Sequence, residues 1–240
     1  MVARDPVLEA ARTGEPDRYL SALYASEPAR GRLMALAAFA AGLARISSTI
    51  REPMLIEIRL QWWRDALVAG QRGEATGHPV ADRLAPDVAS GILPLGLLLG
   101  MADAAPRPDL TRLASDAQAL RAQLNKSEGA AFALAARALG AAHSAVLDEA
   151  CQRAGFGYGL ARLAVSAPPV AADLRARLAA QCRDALPGAA AAVRRLDTAL
   201  LPAFLPLTMS DAYLRHSSGA AMPLLRWWTL WRANLRGRVL

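Results

Sequence analysis

The chain has 240 residues, 54% of them hydrophobic, and its net charge of +7 is almost wholly arginine because Lys126 is the one lysine. A chain of this size buries roughly 70% of its unfolded surface, so one globular domain is expected over 1–240. The arginine-for-lysine and alanine-rich bias matches a GC-rich coding background, so basicity alone is weak evidence for nucleic acid; without a lysine-rich arm, a glycine-rich phosphate loop, a helix-turn-helix signature or a zinc knuckle to support it, no nucleic acid is expected as partner.

Alanine, leucine and arginine dominate, β-branched and aromatic residues are sparse, and good helix formers fill the windows between prolines, which predicts an all-α fold. Ser26-Glu27-Pro28 reads as a helix start with the serine as N-cap, opening a long core helix over about Glu27 to Thr49. Arg51-Glu52-Pro53 then breaks the chain and opens a second helix, Met54 to Ala69, on which Leu55, Ile58, Trp62 and Ala66 share one face. Gln71 to Pro79 is a polar loop, His78-Pro79 restarts a short helix, and Gly91 to Leu95 begins an apolar one with a boundary at Pro94. After a loop at Ala104 to Pro108, helices are expected at about Asp109 to Leu124, Ser127 to Gly140 and His143 to Ser166, before a break at Pro168-Pro169. The pattern resumes at Val170 to Ala185, passes Pro187-Gly188 and continues to Leu201, and Pro202 and Pro206 interrupt the stretch Leu200 to Met209.

Gly219 to Leu240 is amphipathic, with a helix at about 219–238 that gathers Leu224, Trp227, Trp228, Trp231 and Leu235 on one side and Arg226, Arg232 and Arg236 on the other. Two roles fit this pattern. One is a terminal helix docked on the core by its tryptophans. The other is attachment to an anionic membrane surface, where indoles favour the headgroup region and arginines meet phosphates. The N-terminus lacks the apolar core of a signal peptide, and the longest uncharged stretch, Val88 to Ala102, falls short of the roughly 18 residues of a spanning helix. The expected location is the cytoplasm, or the inner face of the membrane as a peripheral protein. Cys151 and Cys182 lack the spacing of a zinc site and read as buried free thiols in a reducing compartment.

The order Asp17-Arg18-Tyr19, Arg30, Ala38-Phe39, Glu57-Ile58-Arg59-Leu60-Gln61-Trp62-Trp63-Arg64-Asp65 and His78-Pro79-Val80 resembles the squalene and phytoene synthase family of head-to-head prenyl synthases. Ser127-Glu128-Gly129, Leu139-Gly140, Gly155 to Leu163 and Leu201 to Leu207 extend the resemblance over nearly the whole chain. It is most similar to the divergent proteobacterial branch related to a mitochondrial assembly factor for respiratory complex I. The resemblance implies an isoprenoid-synthase helical bundle around a central cavity. It also implies condensation of two prenyl diphosphates by magnesium ions held on two aspartate-rich motifs. Mg²⁺ prefers hard oxygen ligands, and carboxylates one helical turn apart reach a common ion.

This chain departs from the family at both motifs. Where the first is expected stand Ala44, Arg45, Ser47 and Ser48; where the second is expected, Arg162 occupies the asparagine position and Ser166 the aspartate position. The basic segment that usually follows is replaced by Pro168-Pro169 and an alanine-rich helix. Across the sequence Asp5 and Glu9 are the one acidic pair at i and i+4, and no acidic pair stands at i and i+3. No metal ligand and no catalytic residue is therefore assigned, and no cofactor is expected; Mg²⁺ enters only if isolated acids such as Asp65, Glu128 and Asp148 assemble an atypical site.

Arg45 and Arg162 are the expected receivers of an anionic head group such as a prenyl diphosphate or lipid, with Arg59, Trp62 and Trp63 beside them; the alternative is that both arginines reach solvent at helix ends. Adjacent helix residues diverge by about 100°, so of Trp62 and Trp63 one is expected in the core and one at its edge near Arg59. His78, His143 and His216 are isolated from any nucleophile, and His78 beside Pro79 reads as a helix cap. Three functions follow: a non-catalytic binding or assembly protein at the membrane, with a respiratory-complex subunit as partner; a prenyltransferase with atypical metal ligands; or an isoprenoid or lipid carrier.

Overall fold

The computed structural model describes residues 5–106, 110–167, 171–215 and 223–240. All regular structure in them is helical: α1 (Pro6–Gly14), α2 (Pro16–Ala22), α3 (Ala29–Thr49), α4 (Pro53–Gln71), α5 (Pro79–Ala89), α6 (Leu95–Asp103), α7 (Leu110–Ser115), α8 (Ala117–Leu124), a π-helical turn (Asn125–Gly129), α9 (Ala130–Ala138), α10 (Ala145–Ser166), α11 (Ala172–Val193), α12 (Leu201–Phe204), α13 (Met209–Arg215) and α14 (Pro223–Arg236). Short 3₁₀ turns, Thr198–Leu200 and Leu205–Thr208, flank α12. The chain divides into two compact units: Met1–Arg107 with Leu134–Ala142, and Pro108–Ala133 with His143–Leu240.

In the first unit the alanine-rich α3 is the central element. Leu33 to Phe39, Ala41 and Leu43 are all buried, so the middle of this helix is covered on every side. Small residues make that possible: a Cβ on Gly14 of α1 would lie 2.4 Å from Ala41 Cβ. Polar ties fix the neighbouring helices. Arg32 donates to Asp87 at 2.7 Å between α3 and α5, and Arg64 of α4 donates to Glu57 at 2.7 Å and to Asp103 of α6 at 2.8 Å.

In the second unit α10 buries Leu147, Ala150, Cys151, Ala154, Tyr158 and Leu160 and packs along α11, where a Cβ on Gly157 would stand 3.3 Å from Leu186 Cδ2 and 4.0 Å from Ala189 Cβ. Gly155 and Gly159 open its surface to the π-helical turn; a Cβ on Gly155 would stand 2.3 Å from Gly129 N, and one on Gly159 2.6 Å from Leu124 Cδ2. Phe132 stacks on Phe204 at 5.6 Å and meets Tyr158 edge-on at 5.8 Å. Cys151 and Cys182 are free and buried, as expected, and Cys182 donates from its thiol to Gly157 O at 3.2 Å. Burial pushes both thiols up to about 12.

Several expectations are corrected. The first long helix begins at Ala29, two residues after the expected Glu27; Pro28 follows a cis peptide bond, and the first-turn amide of Gly31 donates to the Glu27 carboxylate at 3.2 Å, while Ser26 accepts from Arg30 N through its backbone carbonyl at 2.9 Å instead of capping with its hydroxyl. On α4 the stripe Leu55, Ile58, Trp62 is exposed, and the buried face is Leu60, Trp63, Leu67 and Gly70, joined by Ala66. That face fits closely against α5, since a Cβ on Gly70 would lie 3.2 Å from Ala85 Cβ. Asp116 splits the helix expected to reach Leu124 by accepting from Gln118 N and Ala119 N, both at 2.9 Å. The helix expected to start at Ser127 is instead reached through the π-helical turn. The expected docking of the C-terminal helix by its tryptophans is replaced by docking through Leu230 and Ala233, both buried, while Trp227 and Trp228 are about half exposed. Asp109, the Pro168-Pro169 break, Val170, His216 and residues 219–222 lie outside the described residues.

Candidate functional site

The first unit holds a cleft of about 1020 Å³, at the upper end of small-molecule sites, walled by α1, α3, α4 and the start of α5. Helix α3 contributes Ala38, Ala41, Gly42 and Arg45, a spacing that places four residues on one helical face. Small side chains on three of those positions leave the space, and the fourth brings a charge to its edge. Gly42 also makes room for an indole: its Cβ would stand 3.2 Å from the Trp63 ring.

Helix α4 contributes Arg59, Trp62 and Trp63. Trp63 is 5% exposed and Trp62 40%, the divergence expected for adjacent helical residues. Trp63 meets Phe39 edge-on at 5.1 Å and Trp62 at 5.1 Å. His78 completes the cluster, with its ring 5.1 Å from Trp62 and 5.0 Å from Trp63.

His78 caps α5 as read from the sequence, accepting at Nδ1 from Ala81 N over a long 3.5 Å. What the sequence did not reveal is that the same ring lines the cleft. Burial holds its pKa below the ordinary 6.5, Asp82 opposes this, and the Arg45 charge adds to it. The folded state thus prefers neutral imidazole. With the native pKa depressed, the unfolded chain binds more protons just below pH 6.5; this group's stabilisation is present above that pH and lost as pH falls through the window beneath it. In thermal melts between pH 7.5 and 5, His78→Asn, which retains a cap, is expected to show a shallower acid loss than the unaltered chain; parallel profiles would refute this.

Two guanidinium groups lie at the cleft, Arg45 and Arg59, both exposed, and among the described residues neither is paired with a carboxylate. Arg162 lies in the second unit, where it meets Glu128 at 3.3 Å and stands 5.6 Å above the Tyr158 ring. Its charge is partly satisfied there. The hydroxyls at the first motif are turned to the backbone: Ser47 Oγ donates to Ala105 O, and Ser48 Oγ to Arg45 O at 3.0 Å. Ser166, the last residue of α10, is exposed. Among the described residues no three His, Cys, Asp or Glu side chains are grouped to hold a metal ion. Of the isolated acids, Asp65 accepts from Gln61 at 2.8 Å, Glu128 meets Arg162, and Asp148 lies 3.4 Å from His143. These residues do not fit the magnesium cluster that the family's chemistry implies.

The described residues are all-α, and the cleft of the first unit is lined by Arg45, Arg59, Trp62, Trp63 and His78. The squalene synthase HpnC from Alicyclobacillus acidocaldarius superposes with a TM-score of 0.55 and 16% identity over 96% of this chain and 92% of that one, a likeness of fold alone. A model of the squalene/phytoene synthase family matches residues 11–165, and the chain belongs to that family. No curated protein sequence matches it. No described helix is long and apolar enough to cross a membrane.

Proposed function

We propose that this chain is a binding protein on the squalene/phytoene synthase fold, which holds an anionic, apolar-tailed molecule in the cleft of the first unit without ionising it by the family's metal-assisted route. The observation that carries this reading is Arg45, which stands in the first motif stretch and lines the cleft beside Arg59, Trp62 and Trp63. Guanidinium groups grip phosphate oxygens in a bidentate fashion. They lack the bridging geometry by which two or three divalent ions stabilise a departing diphosphate, so binding survives the exchange of aspartate for arginine while bond cleavage does not.

The test is a thermal-shift titration with farnesyl diphosphate, with and without Mg²⁺, followed by extraction of products. The expected result is the same stabilisation in both conditions, about 2.7 kcal/mol at a hundredfold excess over Kd, no hydrocarbon product, and loss of most of the shift in Arg45→Ala/Arg59→Ala. Magnesium-dependent product would overturn the reading in favour of a prenyltransferase with atypical ligands. Absence of any shift would remove the cleft as the binding site.

One observation favours a second reading, a carrier of isoprenoid or lipid: Met54, Leu55 and Ile58 form an exposed apolar stripe leading to Trp62 at the cleft. A role in assembling a respiratory complex is supported by the resemblance to the divergent branch alone, and co-purification with respiratory subunits from the membrane fraction is its test.

A further inference from the structure

The C-terminal helix presents its apolar face away from the surface on which it is seated. Taking Leu224 as origin and 100° per residue, Trp228, Trp231 and Leu235 fall within about 40° of it and Trp227 at about 60°. The buried residues Leu230 and Ala233 fall about 120° and 180° away. A helix that docks on its own protein normally buries its apolar stripe. Here Leu224 is 81% exposed, Leu235 65%, Trp227 50% and Trp228 49%.

The three indoles support one another. Trp231 stacks on Trp227 with ring centres 5.8 Å apart and planes 10° apart, and meets Trp228 at 5.0 Å. The result is a rigid aromatic plate with leucines at both ends. Arg232 and Arg236 are exposed along one edge, next to Trp228, whereas Arg226 falls in the sector of Leu230 and Ala233 and is half-buried. Residues 223–240 carry four arginines and no acid. On the elements beneath, the 3₁₀ turn Leu205–Thr208 bears no charge, and on α13 Asp211 is paired with Arg215. The charge around the plate is therefore cationic and uncompensated by α14 itself.

We infer that this face is a docking surface for an anionic lipid bilayer: α14 lies in the plane of the interface, its tryptophans and leucines at the boundary of headgroups and acyl chains, with Arg232 and Arg236 against lipid phosphates. Tryptophan favours that boundary because its ring is apolar and its N–H needs a polar partner. An exposed apolar face next to cations only, on a helix too short and too basic to span, fits an interfacial lipid contact. This surface belongs to the second unit and stands independently of the cleft, so either can fail without the other.

The experiment is co-sedimentation of the full chain with vesicles of phosphatidylcholine alone, and of phosphatidylcholine with phosphatidylglycerol. Binding is expected to the anionic vesicles, with a blue shift of tryptophan emission and weakening at high salt. Each arginine near an anionic surface contributes a factor of about five, so Arg232→Ala/Arg236→Ala should weaken binding roughly 25-fold. Trp227→Ala/Trp228→Ala/Trp231→Ala should abolish it. Leu224→Asp/Leu235→Asp, at the two most exposed positions of the face, should also abolish it with unchanged far-ultraviolet circular dichroism and melting temperature, which separates lost lipid contact from lost fold. Equal binding to both vesicle types, binding to neither, or retained anionic binding in the leucine variant would overturn the proposal.

Discussion

Replacing Trp63 by alanine is expected to cost about 3–5 kcal/mol of unfolding free energy, the range for a buried aromatic truncated in a core, whereas Trp62→Ala costs about 1 kcal/mol or less, like a partly exposed surface change. The two residues are identical and adjacent, so the contrast isolates environment from chemistry. Trp63 is 5% exposed, packed edge-on to Phe39 and seated over Gly42; Trp62 is 40% exposed. Urea titration of both variants measures it through the midpoint at constant slope. Equal midpoints would mean that Trp63 is not the indole in the core. Because His78 leans on both rings, Trp63→Ala should also loosen the wall of the cleft and weaken ligand stabilisation beyond its effect on the fold.

Gly155→Ala is expected to destabilise by about 1–3 kcal/mol or more, the cost of forcing an added methyl into a filled core. Its Cβ would lie 2.3 Å from Gly129 N, 2.5 Å from Gly129 Cα and 2.8 Å from Glu128 C. All three are backbone atoms, and none can swing aside as a side-chain end does. The control is Gly100→Ala in α6, where nothing lies within 4 Å of the added carbon. There the same substitution removes conformational freedom from the unfolded chain and should stabilise by about 0.4–1 kcal/mol. Opposite signs in parallel thermal melts are the expected outcome. A neutral Gly155→Ala would show that the π-helical turn and α10 do not approach as closely as described.

The two glycines also show what could be read from sequence and what could not. Helical periodicity and proline placement locate α4 and α10 to within about two residues, because those signals are local, whereas α11 runs unbroken through Pro187 and ends at Val193, short of the expected Leu201. Gly155 was visible as part of a family stretch, yet its role depends on Gly129, far away in the chain. Helix α1 carries a local signal in Asp5 before Pro6, whose carboxylate accepts from Val7 N at 2.8 Å, whereas α2 has a proline in its first turn and no side-chain cap.

The face of α4 was legible as a stripe but not as an orientation. Leu55, Ile58 and Trp62 are as apolar as Leu60, Trp63 and Leu67, and nothing in such a helix says which set meets the core until α5 and Gly70 come together. The same limit applies to α14, whose tryptophan stripe fits docking on the protein as well as a membrane contact, and in the structure Trp227 and Trp228 are about half exposed. At the candidate site, Arg45, Arg59, Trp62 and Trp63 were singled out by motif position, and the fold gathers them in one cleft. Arg162 is not among them and meets Glu128 in the other unit. His78 reads from the sequence as a cap because capping is a sufficient local explanation; that it also touches both indoles depends on the packing of α4 against α5.

Both native cysteines lie buried with their thiols raised to about 12. At neutral pH such groups are thiolate only about one part in a hundred thousand, and the thiolate is the form that reacts with maleimides and nitroxide reagents. Burial also keeps reagents from both sulfurs, so slow labelling of the native chain is expected. A cysteine placed at Leu224 would take a spin label or fluorophore without removal of Cys151 or Cys182, so a probe on the outward face of the last helix can report immersion depth with every core contact of the native chain in place.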